Sequence, residues 1–173
     1  MENFTETGRQ QTMTSQAAFD GLKLALISLV TMSVSSLSIP NFLSIVVWLI
    51  QTVCSIWFLA NLMKKYKENG NQSNFGYGFM VCLFSSIITA VYAFASYQWI
   101  FPGLQAQAME AFDSMMPMMD SLQTDVMAKL QDNFAQYYCI SVFFKNVMIG
   151  LIASSIISAS QRDRNTVNNS EEL

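Results

Sequence analysis

The chain has no histidine and few charged residues, and both shortages limit the kinds of fold and site that it can form. Only 12% of its 173 residues are Asp, Glu, Lys or Arg, against about a quarter in soluble domains. A zinc or iron site has few ligands to use, because the cysteines (Cys54, Cys82 and Cys139) form no cluster and fall in or beside apolar stretches. We expect them to pack as small hydrophobic residues. The net charge of −3 argues against nucleic acid as a partner, since phosphate binding needs a basic face.

Long apolar runs are what the sequence has in abundance, with 52% of its residues hydrophobic. About 20 such residues cross a bilayer as a helix. Windows of that length lie at residues 19–39, 42–63, 75–101 and 137–160. Buried helices of a soluble protein would carry a charged face, and these windows have almost no charges. The sequence therefore predicts an all-α membrane protein with four transmembrane helices in a domain spanning residues 19–160.

The basic residues predict how the chain crosses the membrane, because Lys and Arg collect on the cytoplasmic side. Arg9 and Lys23 lie before or at the start of the first window; Lys64, Lys65 and Lys67 follow the second, and Arg162 and Arg164 follow the fourth. We expect both polar tails, residues 1–18 and 161–173, in the cytoplasm. A cleaved signal peptide is a weaker interpretation of the first window, since a long polar region precedes it.

Residues 102–136 predict an extracytoplasmic amphipathic helix between the third and fourth spans. Apolar side chains recur there every three or four residues, at Leu104, Ala108, Ala111, Met115, Met118, Leu122, Val126 and Leu130. Methionines cluster at residues 115–119. Exposed thioethers bind Cu(I), but copper sites usually add a histidine or cysteine. The segment has neither, so an adaptable apolar interface is the favoured interpretation, and we expect no metal or other cofactor.

Polar residues recur at helical spacing inside the predicted spans, which favours a packing seam between helices. Lys145 departs from this pattern, since a lysine inside a span costs about 2.5–3.5 kcal/mol. At about 1.5 Å per residue from the predicted outer ends, Thr31, Gln51, Tyr92 and Lys145 all lie about 10–14 Å deep. One hypothesis is a polar layer of these four side chains around the ammonium. The other is that Lys145 extends its stem to interfacial water.

A resemblance to a known family rests on the third span and the insert after it. The span opens with Asn74-Phe75-Gly76-Tyr77-Gly78-Phe79, has Tyr92 near its far end, and continues through Ile100-Phe101-Pro102 into a polar, Met- and Gln-rich insert. In this the chain resembles, over residues 19–164, the bacterial inner-membrane family catalogued as domain of unknown function 4199. The resemblance implies a four-span helical protein of unassigned activity and supplies no functional residues. The methionine-rich insert departs from similar proteins, which have more Glu, Gln and Lys.

Two functions are expected from these features. The favoured one is a structural or accessory bundle without catalytic activity, held in the bilayer and packed against a second copy or another membrane protein. The alternative is an oligomer that passes a small solute or ion, with Lys145 attracting anions. Catalytic residues are not expected, because the only candidate is a Ser141–Lys145 pair that serines at this density produce by chance. Asp20 and Lys23, three apart, favour an interfacial ion pair.

Overall fold

The structure, a computed structural model, describes residues 2–36, 41–69, 74–101 and 132–170, together with residues 103, 106, 110 and 129. Its main elements are helices α1 (Glu2–Ser35), α2 (Asn41–Glu68), α3 (Asn74–Ala95) and α4 (Phe134–Ser170). A π-helical turn, Ser96–Ile100, extends α3 directly. Among the described residues the regular structure is entirely helical, as the sequence predicts.

Each of the four helices contains a segment long and apolar enough to cross a membrane: Met13–Val34, Ile45–Glu68, Asn74–Ile100 and Phe134–Gln161. The prediction of a multi-pass helical membrane protein is thereby confirmed. The helices extend beyond the predicted windows because polar residues at their ends continue the helix outside the apolar stretch. The predicted amphipathic helix at residues 102–136, and the methionines within it, lie almost wholly outside the described residues.

Helix α3 is the centre of the bundle. It packs most extensively against α4 and α1, and less against α2. Within the apolar windows, 44% of the residues of α3 are buried but only 6% of those of α2. The buried face of α3 is made mainly of small and hydroxylated residues, which let helices approach closely: Gly78, Cys82, Ser85, Ser86, Thr89, Ala90 and Ala93.

Two glycines bring the neighbouring helices close to α3. A Cβ atom added at Gly21 of α1 would lie 2.8 Å from the Cβ atom of Phe84 and 2.8 Å from the carbonyl oxygen of Val81, both on α3. A Cβ atom at Gly150 of α4 would collide with the side chain of Cys82. At each position the added Cβ atom would come closer to α3 than real Cβ contacts allow. Glycine is therefore required where α1 and α4 meet α3.

The two ends of the bundle differ in chemistry. The basic end carries Lys65 and Lys67 in the last turn of α2. The aromatic end carries Tyr97 and Tyr138, whose ring centroids are 4.4 Å apart. Next to the basic end lies a set of buried residues that we call the hydrophobic floor. It comprises Leu24, Leu59, Met63, Tyr66, Tyr77 and Val81, with Tyr66 and Tyr77 stacked in parallel at 3.9 Å between centroids.

We expect Gly150→Val to destabilise the protein by about 1–3 kcal/mol, because the new side chain must displace Cys82 or push α4 away from α3. Ser155→Val, on the exposed side of the same helix, is the matched control and should change the stability by less than about 0.5 kcal/mol. Equilibrium unfolding in detergent micelles measures both. Equal stabilities would contradict the close α3–α4 contact.

Candidate functional site

A partly enclosed cavity of about 530 Å³ lies between the four helices. Its polar lining includes Ser28, Thr31 and Ser36 from α1; Gln51, Thr52 and Ser55 from α2; Cys82, Ser85, Ser86 and Thr89 from α3; Ser96 and Tyr97 from the π-helical turn; and Tyr138, Lys145 and Asn146 from α4. The cavity runs along α3 from Cys82 to Tyr97, a length of about 22 Å at the helical rise. It adjoins the hydrophobic floor at Leu24 and Leu59.

Lys145 is the only charged residue among the described residues that line this cavity. The ion pairs between described residues are Asp20–Lys23 and Lys64–Glu68, so no described acid neutralises Lys145. Inside a bilayer, a cation in this position lacks most of the water that would solvate it at the surface. Lys145 is exposed, lines the cavity and has no counter-charge among the described residues.

The helix contacts indicate which residues lie level with Lys145. Gly150 is opposite Cys82, so five residues further toward the aromatic end Lys145 is opposite residue 87. Met63 is opposite Gly78, so eight residues further Ser55 is opposite Ser86. Asn146 follows Lys145 and also lines the cavity. Ser55, Ser86 and Asn146 thus lie close to the level of Lys145 along the bundle axis.

Three of the four side chains of the hypothesised polar layer line the cavity: Thr31, Gln51 and Lys145. Tyr92 is not among the lining residues, and its hydroxyl instead shares a hydrogen bond with Ser33 of α1. Because Met63 is opposite Gly78, Gln51 is opposite Ala90, about 6 Å along the axis from the level of Ser86. A layer of these four residues closed around the ammonium stays a prediction.

Five of the eleven lining hydroxyls bond to their own helix. Each donates to the carbonyl oxygen four residues earlier, at 2.7–2.9 Å: Thr31, Ser36, Thr52, Ser86 and Thr89. This local bond is always within reach in a helix, so it competes well with a partner on another helix. The Ser33–Tyr92 bond is one that does join two helices.

The aromatic end of the cavity holds an unpaired polar atom. Ser96 is 3% exposed, lines the cavity, and its Oγ atom has no hydrogen-bond partner among the described residues. It begins the π-helical turn, where the Phe101 amide donates to the Ser96 carbonyl at 2.7 Å. Single π-helical turns often occur at functional sites. Tyr97, packed against Phe134 at 5.3 Å and against Tyr138, completes this end.

At the basic end, Asp20 has a second hydrogen-bond partner, on another helix, which the sequence did not suggest. Its Oδ1 atom accepts a hydrogen bond from Lys23 at 2.7 Å, which is the expected i,i+3 pair. Its Oδ2 atom accepts a bond from the Tyr77 hydroxyl of α3, and Asp20 is only 6% exposed. The Tyr77 contact could not be found from spacing, because it joins two helices 57 residues apart in the chain.

The described residues contain no group of three His, Cys, Asp or Glu side chains that could hold a metal ion. Ser141 and Lys145 are both exposed, Ser141 is not part of the cavity lining, and no hydrogen bond joins these two described residues. The geometry thus offers a binding cavity in the described region and gives the Ser141–Lys145 pair no support as a nucleophile with its base.

A comparison with protein families matches residues 19–162 to the model of the family described as "Protein of unknown function (DUF4199)". No curated protein and no solved structure matches the chain significantly. The match covers the four apolar helices, so the sequence-based resemblance to this family is confirmed.

We expect Tyr77→Phe to destabilise the protein by about 1–3 kcal/mol, because the buried Asp20 carboxylate loses one of its two donors. Tyr137→Phe, at an exposed position, is the control for loss of a hydroxyl. Unfolding in detergent should separate the two variants. If they are equally stable, the Asp20–Tyr77 bond contributes nothing to joining α1 and α3.

Proposed function

The chain belongs to the DUF4199 family, whose description assigns no activity, and we propose that it binds a small solute inside the membrane and lets it pass, without catalysing a reaction on it. The observation that carries this proposal is the cavity with its single described charge at Lys145. Of the two sequence-based functions, it favours the passage of a solute over a purely structural bundle.

The size and lining of the cavity support this proposal. Binding sites for small molecules are concave and usually enclose about 300–1,000 Å³, with a few convergent polar groups. The volume of about 530 Å³ falls in this range. In a bilayer, polar and charged side chains are costly unless they face water, a partner or a ligand, and they mark pathways in many transport proteins.

The distribution of charge supports a direction for the cavity. Lys65 and Lys67 at the basic end favour the cytoplasmic side of a bacterial inner membrane for that end, with both termini in the cytoplasm. The aromatic end, with Tyr97 and Tyr138, would then face the other side, as interfacial aromatic residues commonly do. Solute would enter there and meet the hydrophobic floor on the cytoplasmic side, so passage would require the floor to open.

The loose packing of α2 favours a second role, association with another copy of the chain. Its apolar window is the least buried of the four, and Cys54 near the middle of α2 is exposed. A second copy packed along α2 would hold the fourth wall of the cavity in place. The proposed partners are therefore the lipid bilayer and a second copy, with a different membrane protein as the other outcome of the test below.

We expect Lys145→Met to lower the flux of small anions into vesicles by about tenfold or more, because the only described charge in the cavity is removed. The matched control is Lys65→Met, an exposed lysine outside the cavity, which should leave the flux unchanged. Flux into vesicles of purified protein is compared with protein-free vesicles. Equal flux in all four samples would contradict passage.

A single-cysteine variant that keeps only Cys54 should form a covalent dimer when the membrane is oxidised, if α2 packs against α2 of a second copy. The control keeps only Cys82, which is buried against α4 and should stay monomeric. Mass measurement of the gently extracted particle supplies the oligomeric state independently. A monomeric mass together with no Cys54 dimer would rule out this association, and a mass with a second protein species would identify an accessory role.

A further inference from the structure

Several hydroxyl groups of the cavity wall donate their proton to the backbone of their own helix. These are the five hydroxyls of Thr31, Ser36, Thr52, Ser86 and Thr89, which use their only proton on a backbone carbonyl. A hydroxyl has one donor and two acceptor lone pairs, so what remains toward the cavity is acceptor capacity. These five hydroxyls therefore offer acceptor capacity to the cavity, while other lining groups such as Ser55, Gln51 and Asn146 can also donate.

Lys145 has the opposite chemistry. Its ammonium group offers three donors and a positive charge, and no described acid pairs with it. A bare anion would satisfy the ammonium but would leave the five wall acceptors without a donor. A neutral polyol would satisfy the wall but would leave the charge unpaired. Neither matches both parts of the cavity.

We propose that the cavity binds small organic molecules that combine one anionic group, a carboxylate or a phosphate, with hydroxyl or ammonium donors. The anionic group meets Lys145, and the donors meet the wall hydroxyls on the aromatic side of it, such as Thr31 and Thr89. This inference rests on the proposed function and specifies its substrate class.

The same chemistry is present in hydroxy acids and sugar phosphates in solution and in some lipid headgroups, such as phosphatidylglycerol. Phosphatidylcholine lacks it, because its headgroup has a phosphate but no N–H or O–H donor. A bilayer of phosphatidylcholine alone therefore leaves the cavity free for soluble probes, and added phosphatidylglycerol tests the lipid source separately.

The test compares three soluble probes with the full-length protein in phosphatidylcholine nanodiscs. Glycerate has a carboxylate and two hydroxyls, propionate has the carboxylate alone, and glycerol has hydroxyls alone. Titration calorimetry should give glycerate a dissociation constant about tenfold or more below that of propionate, since two extra hydrogen bonds form. Glycerol should bind more weakly than glycerate by a similar factor, because it leaves Lys145 unpaired.

Two variants test whether Lys145 and the wall hydroxyls cause these differences in affinity. Lys145→Met should remove the advantage of glycerate over glycerol, whereas Lys65→Met should keep it. Thr89→Val, which has nearly the same shape, should weaken glycerate and leave propionate unchanged, because only the acceptor is lost. Ser155→Val, outside the cavity lining, is the control for the loss of a hydroxyl.

Each outcome decides one point. Equal affinities of glycerate and propionate overturn the substrate class, while Lys145-dependent binding of either leaves the proposed function standing. Binding of phosphatidylglycerol that depends on Lys145, without binding of glycerate, supports the same chemistry with a lipid as its source. If no probe and no lipid binds in any arm, the substrate class and the proposed function both fail.

Discussion

The absence of water inside the bilayer is the constraint that shapes every polar contact in this structure. A polar group in the hydrocarbon region must find a partner within the protein or face an aqueous space. The chain meets this requirement in two ways. Several hydroxyls in the spans bond to a carbonyl of their own helix, and other polar residues, such as Lys145 and Ser96, line the cavity between the helices.

Close packing around α3 makes this arrangement possible. Gly21 and Gly150 bring α1 and α4 against α3, with dispersion contacts holding them there, because lipid tails provide no hydrophobic drive between helices. Near the basic end the same helices are held by the hydrophobic floor and by the Asp20–Tyr77 bond. Toward the aromatic end the lining becomes hydroxylated, and a cavity remains. The contacts that stabilise the bundle thus concentrate near its basic end, and the candidate site lies toward its aromatic end.

The cavity connects the packing with function. Five of its lining hydroxyls have only acceptor capacity left because their protons are used locally, and its one described cation donates. Under the function proposed above, a solute is selected by the sum of these features and not by any single residue.

Composition and the spacing of residues within one helix were enough to predict the helical class and the number of apolar helices, and they singled out Lys145; the family followed from the resemblance of the third span and the insert after it. They also indicated the Asp20–Lys23 pair, whose partners lie on the same helix face. Contacts between helices had to come from the folded bundle: Tyr77 bonds Asp20, Tyr92 bonds Ser33, and Ser55 and Ser86 lie level with Lys145. These contacts depend on the register and rotation of one helix against another. The close glycine contacts set both, and the periodicity of a single helix carries no information about either.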